Sequence, residues 1–364
     1  MLNCGIIGYR GMVGQVLLSR MSHEKDFSDI HTTFFGEGDQ GNQAPKIEGP
    51  AENEVKGAFE LDSLCSQDIL ICLKGGDYSK EIYPQILEKG FKGIWIDASS
   101  AFRMDDDALI ILDPLNSDAI QKALESGIKK FCGGNCTVSL LLLALQGLIE
   151  KGEIEWVNSM SYQAASGAGA EGINGLIKET QDLMSEFNLV DSALDNERHL
   201  SEKLLLKEEL TFDAPLAFSL IPFIDEPLFD GETREEWKAG SESARILGEK
   251  SFPVDGLCVR VPTLRAHAQA LLIKTKSELQ ASEVEEILSQ GNEWLHVIPN
   301  TAEESRSFLN PIAVSGKLDI NIGRIKKVKH DSHLITAFTV GDQLVWGAAE
   351  PLRRMLNIAK KHLL

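Results

Sequence analysis

Short apolar runs alternate with helical patterns along the first part of the chain. The apolar runs have the length of buried strands and lie at Leu2–Ile7, Thr32–Phe35, Asp68–Leu73, Gly93–Asp97, Leu109–Leu112 and Lys129–Cys132. Between them, apolar residues recur at helical spacing in Val16–Met21, Glu81–Lys89 and Asn116–Glu125. Strands and helices that alternate across short connections predict an α/β fold with a mostly parallel, doubly wound sheet.

The pattern changes in the stretch that follows. Residues 137–145 are apolar nearly all round, which predicts a buried helix. Thr233 and Glu236 have the spacing of a capping box at the start of a later helix. The polar segment 188–215 is predicted to be a loop. Strands are predicted at Trp156–Ala165, Leu257–Leu264, Ala266–Lys276 and His333–Val340, and helices at Ile173–Phe187, Thr233–Leu247, Ser282–Ser289 and Gly347–His362.

Composition excludes several classes of partner. The 364 residues are 43% hydrophobic and 25% charged, as in a globular protein large enough for two domains. A net charge of −19 without any Lys/Arg cluster argues against nucleic acid or an anionic membrane. Cys132 and Cys136 have no second pair and no His nearby, so we expect no metal site. An N-terminus that enters a strand at once, and six Cys without a disulfide framework, favour a cytoplasmic protein.

A glycine-rich turn opens the chain in the context of a dinucleotide site. The run Gly8-Tyr-Arg-Gly-Met-Val-Gly14 follows the first strand and leads into a helix, whose N-terminus would stabilise a pyrophosphate. An ordinary strand–helix turn is the alternative. The second strand ends in Gly36-Glu37-Gly38, near the expected adenosine ribose, and an acidic residue there suits a free 2′-hydroxyl.

Cys136 has the setting of a nucleophile, just past a strand and at the start of the buried helix. Gly133 and Gly134 allow a tight turn there, and the helix dipole should lower the thiol pKa. A buried structural Cys fits this stretch about as well. His267 lies between two apolar strand runs and could serve as the base, although a hydrogen-bonded core His is the simpler interpretation. Arg260, on an apolar strand, needs an anion.

Six motifs occur in the order typical of one family, and together they resemble aspartate-semialdehyde dehydrogenases of the type found in Gram-negative bacteria. They are Gly8-Tyr-Arg-Gly-Met-Val-Gly14, Gly133-Gly-Asn-Cys-Thr137, Tyr162-Gln-Ala-Ala-Ser166, Arg234-Glu-Glu-Trp-Lys238, Arg260…His267 and Gly341-Asp-Gln-Leu-Val-Trp-Gly-Ala-Ala-Glu-Pro351. The resemblance implies reversible conversion of L-aspartyl 4-phosphate and NADPH into aspartate semialdehyde, NADP and phosphate. This reaction is the branch-point step towards lysine, methionine and threonine.

The resemblance also implies roles for individual residues. The implied catalytic residues are the thioester-forming nucleophile Cys136, the acid/base catalyst His267 and the orienting residue Gln163. The implied substrate-binding residues are Arg260 at the α-carboxylate, Glu236 at the ammonium group, and Arg103, Lys238 and Asn135 at the phosphate. The positions expected to meet the cofactor are Gly8, Arg10, Gly11, Met12, Val13, Gly14, Glu37, Lys74 and Gln343.

The family's domain organisation carries over as well. It implies a homodimer whose subunit has a dinucleotide-binding domain at residues 1–134, to which helix 343–364 returns. An α+β domain for catalysis and dimerisation would occupy residues 135–342. Two positions depart from the family pattern: Glu37 stands in a turn that is usually rich in Ser and Thr, and Lys74 stands where Gln is usual. NADP is therefore the expected cofactor, with NAD left open.

Three other functions share part of the pattern. A sister phosphorylating reductase would keep the Cys and His but would not need both Glu236 and Arg260 to bind an amino acid. A Cys/His acyl hydrolase would need neither the glycine-rich turn nor Gln343. A redox-sensing regulator that binds a dinucleotide would use Cys136 as a sensor thiol and would need no cations for a substrate.

Overall fold

The first of two sheets is parallel throughout. The computed structural model describes residues 1–185, 187–206 and 210–364. The strands of this sheet are β1 (Leu2–Ile7), β2 (Ile30–Gly36), β3 (Lys56–Gly57), β4 (Ile69–Cys72), β5 (Ile94–Asp97), β6 (Ala108–Ile111) and β7 (Lys130–Gly133). Their order is β3–β2–β1–β4–β5–β7–β6, so the chain winds outwards on both sides of β1. The predicted doubly wound, Rossmann-like sheet is confirmed.

Helices cover both faces of this sheet. The helices between its strands are α1 (Met12–His23), α2 (Leu61–Cys65), α3 (Gly76–Glu88) and α4 (Asp113–Glu125). Leu17 of α1 and Ile120 of α4 are buried in the apolar cluster on one face. Leu64 of α2 and Ile82 of α3 are buried on the other. The ends of β1, β4, β5 and β7 therefore share one open edge, where ligands of such sheets bind.

The second sheet is mixed. Its strands are β8 (Ile154–Gln163), β9 (Val254–Arg260), β10 (His267–Thr275), β11 (Leu295–Val297), β12 (Ile320–Val328) and β13 (Asp331–Gly341). They lie in the order β11–β12–β13–β10–β8–β9, with antiparallel pairing in the middle and a parallel pair at each end. This arrangement agrees with the predicted α+β class.

Helices surround this sheet and connect it to the first. They are α5 (Cys136–Ala144), α6 (Gln146–Glu150), α7 (Gly169–Ser185), α8 (Ala193–Leu205), α9 (Arg234–Leu247), α10 (Ala281–Ser289), α11 (Ala302–Phe308), α12 (Pro311–Val314) and α13 (Glu350–Leu363). Helix α5 starts directly after β7 and packs against the second sheet, because Leu140–Leu143 lie in one apolar cluster with Leu271 and Ile320. Across the residues that the structure describes, no helix has both the length and the apolar character that a membrane crossing requires.

The C-terminal helix packs against the first sheet. One π-helical turn, Val345–Ala349, leads into α13, which buries Leu352 and Leu356 in the cluster that also contains Leu17. Arg353 of α13 donates to Asp26 at 2.9 Å, and this buried pair anchors the helix to the segment after α1.

One predicted loop is wrong in part. Within segment 188–215 the structure has helix α8, which Ser192 caps by accepting from the backbone N–H of Asp195. A mostly polar sequence hid this helix, because only a narrow stripe that includes Leu204 packs against α7. Residues 207–209, and Glu186 within the predicted helix Ile173–Phe187, lie outside the described residues.

Candidate active site

A cavity of about 390 Å³ lies where β7 ends and α5 begins. Most of the predicted catalytic and substrate residues line it: Arg103, Asn135, Cys136, Gln163, Lys238 and Arg260. Two predicted cofactor residues, Val13 and Gln343, line it as well. Strand residues of the second sheet therefore meet segments that follow strands of the first sheet around Cys136. His267 and Glu236 are not among the lining residues.

Asn135 caps helix α5 and holds Cys136 at its first position. The Asn135 Oδ1 atom accepts from the backbone N–H groups of Thr137 at 2.9 Å and Val138 at 3.3 Å. The turn Val345–Ala349 lies against the nucleophile, because a Cβ on Gly347 would be 2.7 Å from the Cys136 Cβ. Only glycine permits this close approach.

The pKa of the Cys136 thiol is raised, whereas the sequence predicted that it would be lowered. Burial, and then the negative charge of Glu235, raises the pKa of Cys136 to about 12, although Arg103, Arg260 and Lys238 act in the opposite direction. Desolvation therefore opposes the lowering of this pKa that the helix dipole was expected to produce.

Glu236, the residue predicted to bind the ammonium group, does not line the cavity. Glu236 completes the capping box of α9, where its Oε2 accepts from Thr233 N at 2.8 Å and its Oε1 accepts from Cys258 N at 3.1 Å. Glu235 faces the cavity instead and accepts from Asn135 Nδ2 at 3.0 Å, Gln163 Nε2 at 3.2 Å and Lys238 Nζ at 3.0 Å. The sequence could have indicated this. Glu235 lies three residues before Lys238 and shares its face of the helix, whereas Glu236 lies two residues before it and does not.

The cations of the cavity are held by neighbouring polar groups. Arg260 donates from Nη1 to the carbonyl oxygen of Ala164 at 2.9 Å, and burial lowers its pKa. Lys238 pairs with Asp225 at 2.6 Å as well as with Glu235. Burial opposes the charge of Lys238, but these two carboxylates outweigh it and raise the lysine's pKa.

His267 lies behind Gly167, and its tautomer is fixed by the backbone. The Ala164 N–H donates to Nδ1 of His267 at 3.0 Å, so the neutral ring carries its proton on Nε2. Burial, followed by the charge of Arg260, lowers the pKa of His267 to about 3. Nε2 is buried without a partner among the described residues and lies 3.5 Å from where a Gly167 Cβ would be. His267 is thus a neutral donor at Nε2, which differs from the base expected beside Cys136.

A second cavity, of about 280 Å³, lies at the ends of β1 and β2. The predicted cofactor residues that line it are Gly8, Arg10, Gly11, Glu37 and Lys74. Lys74 forms an ion pair with Glu37, so the two departures from the family pattern neutralise each other. Asp39 was missed by sequence reasoning; it pairs with Arg10 Nε at 3.2 Å and accepts from the Tyr9 hydroxyl at 2.6 Å.

The glycine-rich turn has the geometry of a phosphate cradle. Gly8 has a φ of +80°, and a Cβ there would lie 3.0 Å from the backbone of Leu73 and Lys74. Helix α1 begins at Met12 and has no side-chain cap, so its first N–H groups face the turn. Gly14 allows the helix to pack closely against the turn, because a Cβ there would be 2.3 Å from the carbonyl oxygen of Tyr9. The residues fit a dinucleotide pyrophosphate.

Comparison with known proteins identifies the family. The semialdehyde dehydrogenase NAD-binding domain matches residues 3–123, and the semialdehyde dehydrogenase dimerisation domain matches residues 145–346. The solved aspartate semialdehyde dehydrogenase of Francisella tularensis is 46% identical, with a TM-score of 0.95 over 99% of this chain and 100% of that chain. The chain belongs to the aspartate semialdehyde dehydrogenase family. It is an oxidoreductase that acts on an aldehyde.

More distant members of the family share the fold. Aspartate semialdehyde dehydrogenase II of Vibrio cholerae, solved as a complex with ASA, is 24% identical with a TM-score of 0.79 and covers 98% of both chains. The Candida albicans enzyme, solved with NADP, is 17% identical with a TM-score of 0.66 over 100% of this chain and 99% of that chain.

Proposed function

We propose that this member of the family reduces L-aspartyl 4-phosphate to aspartate semialdehyde through a thioester on Cys136. The observation that carries the proposal is the set of charges around the thiol. Two carboxylates, Glu235 and Asp225, and three cations, Arg103, Lys238 and Arg260, line one cavity with Cys136. The substrate has one ammonium group and two anionic groups, so the charges are complementary.

Each charged group of the substrate has a partner in this proposal. Arg260 binds the α-carboxylate, because its planar guanidinium suits a bidentate contact in a buried position. Glu235 replaces Glu236 as the residue that binds the ammonium group. Arg103 and Lys238 bind the phosphate. The Asn135 side chain already caps α5 and contacts Glu235, so it contributes chiefly by fixing the turn before Cys136.

The chemistry then follows from the position of Cys136. Its sulfur attacks the acyl carbon while the thiol proton passes to the departing phosphate, the bond from that carbon to the phosphate oxygen breaks, and phosphate leaves with the bonding electrons. Arg103 and Lys238 stabilise the departing charge, and Gln163 orients the acyl group. A nicotinamide cofactor held near Gln343 would supply the hydride that reduces the thioester carbon. Breaking the carbon–sulfur bond finally returns the electrons to Cys136 and releases the aldehyde.

His267 has a narrower role in this proposal than an acid/base catalyst. A neutral imidazole whose Nε2 carries the proton donates a hydrogen bond to the acyl oxygen and polarises the carbonyl, as neutral histidines do elsewhere. Its other nitrogen is occupied by the Ala164 N–H. Accepting a proton at Nε2 would require the ring to exchange tautomers and lose that bond.

The cofactor proposal is NADP with weak discrimination against NAD. Glu37 would repel a 2′-phosphate if it were free, but its pairing with Lys74 reduces that repulsion. Arg10 lines the same cavity and is available to a 2′-phosphate, although Asp39 offsets part of its charge. Each cation near the expected ribose is paired with a carboxylate, Lys74 with Glu37 and Arg10 with Asp39. A 2′-phosphate is therefore neither strongly attracted nor strongly repelled, which supports the use of both NADP and NAD.

The quaternary proposal is a homodimer. It is supported by the match of residues 145–346 to a dimerisation domain. An apolar hollow in that region, lined by Ile177, Met184, Phe218 and Leu264, leaves large hydrophobic side chains exposed. Light scattering on the purified protein tests this proposal, and a monomer mass across the working concentration range would contradict it.

One assay tests the reaction. Aspartate semialdehyde, phosphate and NADP are mixed with the enzyme, and the near-ultraviolet absorbance of the reduced nicotinamide is followed. We expect reduction that depends on phosphate and is abolished in Cys136→Ala. Mass spectrometry after mixing with aspartyl phosphate without cofactor should find an aspartyl adduct on Cys136. Turnover in Cys136→Ala, or reduction independent of phosphate, would refute the proposal.

A further inference from the structure

Glu242 is a buried carboxylate whose two oxygen atoms bind different parts of the active site. It lies on α9 and is 1% exposed. Its Oε1 accepts from Arg103 Nη1 at 2.9 Å, and its Oε2 accepts from the backbone N–H of Asn135 at 2.6 Å. Glu242 therefore joins a cation of the cavity to the turn that precedes Cys136.

The ion pair with Glu242 orients the guanidinium of Arg103. The guanidinium also donates from Nε to the carbonyl oxygen of Gly133 at 2.7 Å and from Nη2 to that of Ala98 at 3.4 Å. Glu242 supplies the only charged partner among these contacts, in a site where both side chains are almost fully buried. Charge-assisted bonds of this length are stronger than bonds to carbonyl groups.

Helix α9 presents one continuous polar face to the cavity and to Arg103. Glu235, Lys238, Glu242 and Arg245 follow one another at intervals of three or four residues, so they share a side of the helix. Glu235 and Lys238 line the cavity. Arg245 donates from Nη1 to the carbonyl oxygen of Met104 at 3.2 Å, next to Arg103. The same helix thus presents the ammonium site and anchors the phosphate site.

We propose that Glu242 is a positioning residue for phosphate, acting through Arg103 without touching the substrate. The inference rests on the proposed role of Arg103. A carboxylate is required because both partners are hydrogen-bond donors. A Gln at this position accepts with one oxygen only and turns its own N–H groups towards the other donor.

The test compares Glu242→Gln with Glu179→Gln. Glu179 of α7 is also a buried carboxylate, and it accepts backbone N–H groups of Leu216 and Ala217 at 3.3 Å, in a different apolar cluster. In the oxidative direction we expect Glu242→Gln to raise the KM for phosphate about tenfold, with the KM for aspartate semialdehyde changed less than about twofold. In Glu179→Gln both constants should stay at the wild-type values. An unchanged phosphate KM in Glu242→Gln, or an equal rise in Glu179→Gln, would overturn the inference.

A double-mutant cycle distinguishes positioning from general damage. If Glu242 acts through Arg103, Glu242→Gln should alter the phosphate kcat/KM by less than about twofold in an Arg103→Ala background. If the double variant lost phosphate kcat/KM by the product of the two single-variant losses, the inference would be overturned. Should Glu242→Gln fail to fold, Glu242→Asp carries the same test, because its shorter side chain cannot reach both donors.

The two proposals fail differently. A raised phosphate KM in Arg103→Ala together with a wild-type value in Glu242→Gln overturns the role of Glu242 alone. A wild-type phosphate KM in Arg103→Ala overturns both the role of Glu242 and the assignment of Arg103 to the phosphate.

Discussion

Adjacent glutamates on α9 should respond in opposite ways to the same substitution. Glu235→Gln removes the carboxylate that accepts from Asn135, Gln163 and Lys238 inside the cavity. Glu236→Gln removes a carboxylate that lies outside the cavity and accepts hydrogen bonds from two backbone N–H groups. The side chains have the same length and neighbouring positions, so each variant is the control for the other.

The expected sizes follow from these contacts. A buried hydrogen bond to a charged group contributes about 1.5–3 kcal/mol, which corresponds to a fall of about 10- to 160-fold in kcat/KM for aspartate semialdehyde in Glu235→Gln. In Glu236→Gln the lost capping contact costs about 0.5–2 kcal/mol of stability, with little effect on kcat/KM.

Alkylation of Cys136 gives an independent measurement. Glu235 raises the pKa of the Cys136 thiol, so removing its charge should lower that pKa. The rate of reaction with iodoacetamide, followed against pH, should therefore shift to lower pH in Glu235→Gln and stay in place in Glu236→Gln. Glu235→Gln is thus expected to be slower in catalysis while its thiol becomes more reactive.

One pattern of results would refute this reasoning. If Glu236→Gln lost kcat/KM and Glu235→Gln kept it, with equal thermal stability, the ammonium group would be bound at Glu236 after all. Loss of activity in both variants with no change in the alkylation profile would also contradict the assignment of Glu235 to the cavity.

Three further predictions concern other residues. Arg260→Lys keeps the charge but loses the bidentate geometry, and kcat/KM for aspartate semialdehyde should fall about 100-fold or more; near wild-type kinetics would exclude a carboxylate contact. Glu37→Ser frees Lys74, so the ratio of kcat/KM for NADP over NAD should rise about tenfold, whereas an unchanged ratio would mean that Glu37 faces away from the ribose. His267 has a folded pKa near 3, below its ordinary value of 6.5, so its contribution to stability is complete above pH 6.5 and declines as pH falls towards 3. Urea unfolding at pH 7 and pH 5 should find that wild type loses roughly 2 kcal/mol more than His267→Gln, and equal losses would contradict the lowered pKa.

The sequence predicted the elements of the first sheet well, because buried parallel strands and their helices have distinct lengths and spacing. Strand β12 was not predicted. Its pairing with β13 shifts register between Gly323 and Lys326, and Arg324 has a φ of +55°, so the alternation that marks a strand is interrupted. Helix α8 was missed because most of its surface is polar.

Most of the predicted site residues lie together in the structure. The expectations that differ from it concern Glu236, Cys136 and His267, and each depends on contacts formed only in the folded chain. Glu236 matched both a capping box and a family motif, and one carboxylate cannot fill both roles. The pKa of Cys136 depends on burial and on Glu235, and neither is visible from the start of a helix. The tautomer of His267 depends on a backbone N–H that lies 103 residues away in the chain. Burial and contacts between residues that are distant in the sequence become visible only in the three-dimensional structure.

The return of α13 to the first sheet has a consequence for how the chain is made. Strands β1–β7 emerge from the ribosome early, but the apolar face that Leu352, Met355 and Leu356 will cover must wait for the last residues. Roughly 200 residues separate β7 from α13, and at about 5–20 residues per second their synthesis takes roughly 10–40 s. During that time we expect the nascent first sheet to expose an uncovered hydrophobic surface, which chaperones would be needed to shield until translation ends.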